Sequence, residues 1–325
     1  MPVRRTIGVD IGGTKLLAGA VDRGLGVHHR TQRLLRGLDQ NALVETAVDA
    51  VHEARNAAGA EVGAVGFGIP CTFDQRTGVA VNSVHLPLLN IAFADVMAER
   101  IGLPVVVDND ANAAVVAEHR AGAARGASEV VMLTLGTGIG SGLILNGKLY
   151  RGAIGAGGEL GHMVIDKDGP RCGGNCPSRG CLEALASGTA LAREAQRIAR
   201  ERPASGLARV AAEGRELAGP LVTELAHDGD PSAVEAVELI GANLGIGITN
   251  IVNIFNPQVV VIGGGVIAAG ELMLEPARRV VAQRALPPGR DEVRIVAAQF
   301  GFEAGMIGAA ALAFDELSAA DGVAA

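Results

Sequence analysis

Tryptophan is absent from this chain, and tyrosine occurs once and phenylalanine seven times among its 325 residues. Base-stacking platforms and aromatic carbohydrate cradles need several such rings together, so both are disfavoured. Cations are also in deficit: 28 Lys and Arg face 35 Asp and Glu, a formal net charge of −7. That balance argues against a chain-wide grip on nucleic acid or anionic lipid, so neither is expected as a partner. An anionic substrate would be held locally, by backbone N–H groups and one or two cations. The basic start Met1–Arg5 is followed by no apolar stretch of roughly 7–15 residues and no small-residue cleavage site. The longest uncharged run, Leu239 to Gly270, carries Asn243, Asn250, Asn253, Asn256, Pro257 and Gln258, all costly in lipid. A buried helix leading into a buried strand at Val259–Ile262 is the better reading. The chain is expected to be soluble and cytoplasmic.

Apolar residues are plentiful at 49%, enough to build a core and to exclude disorder for most of the length. One large or two moderate domains are expected. Three strands are predicted at Thr6–Asp10, Leu16–Val21 and Val27–Arg33. Leu43, Ala47, Val51 and Ala54 form one stripe of a helix over Asn41–Ala58. A strand at Val62–Phe67, a helix at Ile91–Ile101, a strand at Pro104–Val107 and a helix at Ala111–Ala121 complete a βββαβαβα run. The pattern then restarts with strands at Glu129–Leu135 and Ser141–Leu145, and Asn146-Gly147 turns a hairpin into Lys148–Tyr150. Helices follow at Ser187–Arg200, Gly219–Ala226 and Ser232–Phe255. Strands at Val259–Ile262 and Val293–Ala297 then alternate with helices at Leu272–Gln283 and Gly305–Leu317. Loops are read at Arg202–Gly206 and Leu286–Arg290. Two hairpin-led α/β halves imply two domains with a cleft between them.

Three glycine-rich turns stand at strand ends. Asp10-Ile11-Gly12-Gly13-Thr14-Lys15 joins two strands; no helix follows it, so it is not a Walker loop. Its N–H groups, the Thr14 hydroxyl and the Lys15 ammonium suit phosphate oxygens, with a carboxylate nearby for Mg²⁺. An ordinary hairpin turn fits the segment equally well. Gly136-Thr137-Gly138-Ile139-Gly140-Ser141-Gly142 permits close backbone approach by a ligand, and Gly263-Gly264-Gly265 follows the strand at Val259–Ile262. A nucleotide clamped between two halves explains all three. Asp108-Asn109-Asp110-Ala111-Asn112-Ala113 lies at a strand-to-helix junction, where Asp110 suits a helix N-cap. A carboxylate there also suits acceptance of a hydroxyl proton in phosphoryl transfer.

Those segments, with Gly157-Gly158-Glu159-Leu160-Gly161-His162, the Gly180–Gly188 stretch that ends the cysteine cluster, and the late glycine triplet, resemble the ROK family of repressors, open reading frames and sugar kinases over nearly the whole chain. The resemblance implies an actin-like, ribonuclease-H-derived ATPase fold with two α/β domains around a central cleft. The expected division is 1–118 plus 305–325 against 119–304, the latter carrying a zinc-binding loop over 162–181. Asp110 becomes the general base and Asn109, Glu159, His162 and Glu183 the sugar-hydroxyl ligands. Asp10 is expected near Mg²⁺, with Gly12, Gly13, Thr14, Lys15, Gly136, Thr137 and Gly138 at the phosphates. Gly264 and Gly265 lie beside the adenosine of ATP. The family's usual sugar-side Pro-Gly and Asn-Leu-Pro read here as Pro70-Cys71 and His85-Leu86-Pro87, leaving open whether Asn82 or His85 serves instead.

Cys172, Cys176 and Cys181 follow His162 as His-x9-Cys-x3-Cys-x4-Cys, one imidazole and three thiolates, which suits a closed tetrahedral Zn²⁺ site. The family more often shows Cys-x-Cys-x4-Cys, and Gly173-Gly174 supplies the slack for the displaced first cysteine. Unpaired structural cysteines are the alternative; a disulfide would strand one of the three. Cys71 is expected to be a buried thiol.

The reaction expected is ATP-dependent phosphorylation of the 6-hydroxyl of a hexose, D-glucose first. N-acetylmannosamine, N-acetylglucosamine, allose or fructose are rival acceptors and polyphosphate a rival donor. A repressor of this family is expected to need a DNA-binding domain of about 60–80 residues ahead of the core, and Asp10 already stands in the first loop. A catalytically silent sugar sensor is the remaining alternative. A homodimer or homotetramer is expected from the resemblance.

Overall fold

The computed structural model describes residues 4–74, 79–83 and 86–320. The chain opens with β1 (Arg5–Ile11), β2 (Lys15–Val21), β3 (Val27–Leu34), α1 (Gln40–Ala57) and β4 (Val62–Ile69). Short strands β5 (Thr72–Asp74), β6 (Val79–Asn82) and β7 (Leu89–Ile91) precede α2 (Phe93–Ile101), β8 (Val105–Asn109) and α3 (Asp110–Ala121). The second run holds β9 (Val130–Leu135), β10 (Ile139–Leu145), β11 (Lys148–Tyr150), α4 (Leu182–Ala186), α5 (Gly188–Glu201), α6 (Gly206–Ala212), α7 (Gly219–His227) and α8 (Pro231–Phe255). It ends with β12 (Val259–Gly263), α9 (Glu271–Arg284), α10 (Gly289–Glu292), β13 (Arg294–Ala297) and α11 (Ala304–Ala320).

The restart read from the sequence is a repeated sheet plan. One sheet runs β3-β2-β1-β4-β8 and the other β11-β10-β9-β12-β13. In the first, β1 pairs antiparallel with β2 and parallel with β4; in the second, β12 lies parallel to β9 and β13. The chain divides into two compact units: 1–126, 142–158 and 299–325 form unit 1, and 127–141 with 159–298 form unit 2. The expected limit at 118/119 falls inside α3. The part of α3 beyond that limit stays with unit 1, because Arg120 pairs with Asp315 and donates to the Ala311 carbonyl of α11. Segment 142–158 belongs to unit 1, where Leu149 packs against the α3 and α11 cluster and Arg151 pairs with the buried Asp108.

Unit 1 has a core on each face of its sheet. Ile7, Val9, Ile11, Phe67 and Ile69 pack against α1 and α2, with Phe67 and Phe93 edge to face at 5.3 Å. On the other face α11 lies so close that a Cβ on Gly66 would stand 1.9 Å from the Ala309 carbonyl oxygen. Thr6 Oγ1 donates to the Ala310 carbonyl at 2.9 Å across the same contact.

In unit 2, α8 starts where Asp230 accepts from the Ser232 and Ala233 N–H groups with Pro231 in the first turn. It stops where Asn256 turns left-handed ahead of Pro257. By length and composition it is long and apolar enough to cross a bilayer. Ile240, Leu244, Ile248 and Ile251 are nevertheless buried within the unit, as expected of a core helix.

Three expectations need correction, and a fourth in part: the loop read at Leu286–Arg290 ends at Gly289, where α10 begins. The βββαβαβα run omits β5, β6 and β7, which form their own sheet; strands of three or four residues are too short to show a period. Ile91 does not open a helix: it pairs with Ala80 in that sheet, and α2 begins at Phe93. The loop at Arg202–Gly206 runs directly into α6, because Ser205 caps it by accepting from the Ala208 N–H at 3.1 Å.

Candidate active site

In unit 1, the parallel strands β1, β4 and β8 end side by side. Their register sets Asp10 against Gly68 and Gly68 against Asp108, with Asn109 and Asp110 immediately beyond. Asn109 is the N-cap of α3: its Oδ1 accepts from the Ala111 N–H at 2.9 Å and the Asn112 N–H at 3.3 Å. The cap is therefore not Asp110, which is the first helical residue and whose Oδ1 accepts from the Ala111 N–H at 2.9 Å. Capping also orients the Asn109 amide, with Oδ1 on the helix and Nδ2 left as the donor a ligand would meet.

Asp108 and Arg151 were not singled out by the sequence. Asp108 is buried; its Oδ1 accepts from the Asn109 N–H and from Asn112 Nδ2, each at 2.8 Å. Its Oδ2 takes Nε and Nη2 of Arg151 at 2.7 and 2.6 Å. The junction that presents Asn109 and Asp110 is thus fixed from beneath by a forked ion pair. Asp108 was legible as part of its motif, whereas Arg151, 43 positions on, has no local signal.

Burial, and then the neighbouring Asp110 carboxylate, push the Asp10 carboxyl up to about 7. Gly305 permits that burial, since a Cβ there would lie 2.7 Å from the Asp10 carboxylate carbon. Two crowded carboxylates with one held toward its neutral form fit a divalent cation such as Mg²⁺, whose charge would offset both. Beside them Gly12 N–H donates to the Lys15 carbonyl at 2.8 Å, closing the turn. The N–H groups of Gly13 and Thr14 then have no acceptor among the described residues, and Gly13, Thr14 and Lys15 are exposed.

In unit 2, Gly136 and Thr137 turn their carbonyls toward the start of α5. They accept from the Gly188 N–H and the Thr189 hydroxyl, each at 2.8 Å. The opposite, amide side of Thr137 and Gly138 donates to no group among the described residues. That arrangement suits anionic oxygens. Gly264 takes φ +82° after β12, with Gly265 opening the next turn.

His162, Cys172, Cys176 and Cys181 come together with their ligand atoms all within 4.8 Å of one another. Cys176 Sγ and Cys181 Sγ are 3.9 Å apart, and Cys172 Sγ and His162 Nδ1 3.5 Å. A tetrahedral Zn²⁺ with sulfur ligands at about 2.3 Å needs edges of about 3.8 Å, so these residues fit that ion. Burial and the adjacent thiols raise Cys172 well above the ordinary thiol range, and burial raises Cys181. Thiolates in such surroundings need a cation. The loop closes through Ile165 N–H to Gly180 O and Leu182 N–H to Met163 O, both at 2.8 Å. Glu183 Oε2 accepts from the Ile139 N–H at 2.8 Å and its Oε1 lies 3.5 Å from Cys172 Sγ. Glu159 is exposed at the start of the 160–162 turn. Cys71 is buried, as expected, and His85 lies outside the described residues.

The chain is 35% identical to a glucokinase of Thermotoga maritima over 321 residues, covering 96% of this chain and 98% of that one. A Streptomyces coelicolor glucokinase is 36% identical over 313 residues, covering 95% and 97%. Among solved structures, a ROK family glucokinase from Streptomyces griseus in complex with glucose and AMPPNP superposes with TM-score 0.85 at 36% identity, covering 96% of this chain and 99% of that one. The α/β architecture with its repeated sheet plan is the actin-like sugar-kinase fold of these neighbours. With the ROK family pattern matched across residues 6–316 as well, the chain belongs to the ROK family.

Proposed function

We propose that this protein transfers the γ-phosphoryl group of ATP to the 6-hydroxyl of D-glucose. The likeness to a glucokinase holding glucose and AMPPNP, at 36% identity over nearly the whole chain, carries the reading. In it, Asp110 accepts the proton of the 6-hydroxyl as that oxygen attacks the γ-phosphorus and the bond to the β-phosphate oxygen breaks, releasing ADP. Asn109 Nδ2 donates to a sugar hydroxyl, and Glu159, His162 Nε2 and Glu183 hold others. The phosphates take the free N–H groups of Gly13, Thr14, Thr137 and Gly138, the Thr14 hydroxyl and the Lys15 ammonium. Asp10 would hold Mg²⁺, which would offset phosphate charge. His162 and the thiolates of Cys172, Cys176 and Cys181 would hold Zn²⁺, which would order the 162–181 loop.

A coupled ADP-release assay over a panel of hexoses and N-acetylhexosamines tests the reading. The expected result is a kcat/KM for glucose above every other sugar. A value for N-acetylmannosamine or fructose about tenfold higher would replace the substrate while leaving a kinase. No ADP release with any sugar would leave the sensor.

A further inference from the structure

Unit 1 has a second cationic feature besides the Thr14–Lys15 turn. A cavity of about 440 Å³ opens between the β2–β3 turn, the end of α3 and the later turns of α11, within the roughly 300–1,000 Å³ range of small-molecule sites. Its wall carries Arg23, Arg120 and Arg125 against the single carboxylate of Asp315. Arg120 is committed: it pairs with Asp315 and donates to the Ala311 carbonyl at 3.1 Å. Arg23 lies over the Phe314 ring, 5.2 Å from its centroid. The guanidinium groups of Arg23 and Arg125 have no ion-pair or hydrogen-bond partner among the described residues. Two uncompensated cations therefore converge on one concavity, in a chain whose net charge is −7. The remaining wall includes Leu25 and Phe314, which leave a small apolar area, 8% and 5% of each residue, at the cavity.

We propose that this cavity is a second anion site, which takes a small phosphomonoester. Its phosphate accepts from Arg23 and Arg125, whose planar forks match phosphate oxygens, and its carbon body rests against Leu25 and Phe314. Inorganic polyphosphates share the anionic chemistry but offer nothing to the apolar wall.

Calorimetric titration of the full chain decides the matter, with glucose and AMPPNP saturating so that the phosphate turns of the active site are engaged. Glycerol 3-phosphate and pyrophosphate are the two probes. Glycerol 3-phosphate is expected to bind at one equivalent per chain and more tightly than pyrophosphate. Arg23→Gln and Arg125→Gln should each weaken it at least about tenfold. Both side chains are exposed, so Tm and the turnover of glucose should stay at wild-type values. Tighter binding of pyrophosphate would overturn the phosphomonoester assignment. Absence of binding by either probe, or unchanged binding in both variants, would overturn the site itself.

Discussion

In unit 1 the chemical groups stand on the ends of regular elements: Asp10 near the end of β1, Asn109 closing β8, Asp110 in the first turn of α3. In unit 2 Glu159 and the three cysteines stand on connecting chain, His162 ends the three-residue turn 160–162, and Glu183 lies on the five-residue helix α4. The first set is held by sheet register, a helix cap and a forked ion pair. The second is held by short loop hydrogen bonds and by four clustered side chains that fit a cation. Under the proposed function, proton transfer would fall on a rigid frame, while all the sugar contacts except that of Asn109 would fall on a segment that zinc would order. Variants in the two units should fail in different ways.

The largest effect is expected from Asp110→Asn. Because Asn109 is the cap, this change leaves the helix start intact, and Tm should move little while kcat falls by roughly 10² or more. A variant with near-normal turnover would remove Asp110 from the role of base. Next comes Cys176→Ser or Cys181→Ser. Wild-type protein should contain about one zinc per chain and either variant little, by elemental analysis. The sugar KM should rise at least about tenfold and the KM for ATP by less, since Gly188 and Thr189 anchor the Gly136–Thr137 turn directly and the cluster reaches it only through Glu183 at the Ile139 N–H. A metal-free wild type of full activity would falsify both links.

Arg151→Ala is expected to cost about 2 kcal/mol of stability by leaving buried Asp108 without its cation, the figure reduced because Arg151 is partly exposed and Asp108 keeps its hydrogen bonds from Asn109 and Asn112. Calorimetric unfolding measures it, and a roughly tenfold fall in kcat should accompany it as Asp110 loses its support. The smallest effect concerns pH. The Asp10 carboxyl lies at about 7 against an ordinary 3.8, so between those values the folded chain binds more protons there than the unfolded chain. Stability from this group is accordingly lost as pH rises through that window. Without added nucleotide or magnesium, Asp10→Asn should match wild type near pH 4 and exceed its Tm by about 2–4 °C at pH 8. An equal gap at both values would contradict the burial argument.

The sheet strands and long helices were legible because alternating apolar residues, the Asn146-Gly147 turn and the Asp230–Pro231 helix start are local signals. The glycine turns and the cysteine spacing were legible for the same reason: each needs particular residue types at short range. What escaped depends on contacts distant in sequence. Asp108 reads as another polar residue until Arg151 arrives from the β10–β11 hairpin. The choice between Asn109 and Asp110 as cap turns on where β8 lets go of its register. Strands β5–β7 exist only through one another.

The division of labour between the two units is tested most directly by glucose binding, measured calorimetrically on Asp110→Asn and Cys181→Ser side by side with their turnover. Asp110→Asn should bind glucose within about threefold of wild type while turning over at least about 100-fold more slowly. Cys181→Ser should lose glucose affinity at least about tenfold. Loss of binding in Asp110→Asn together with retained binding in a zinc-free Cys181→Ser would contradict it.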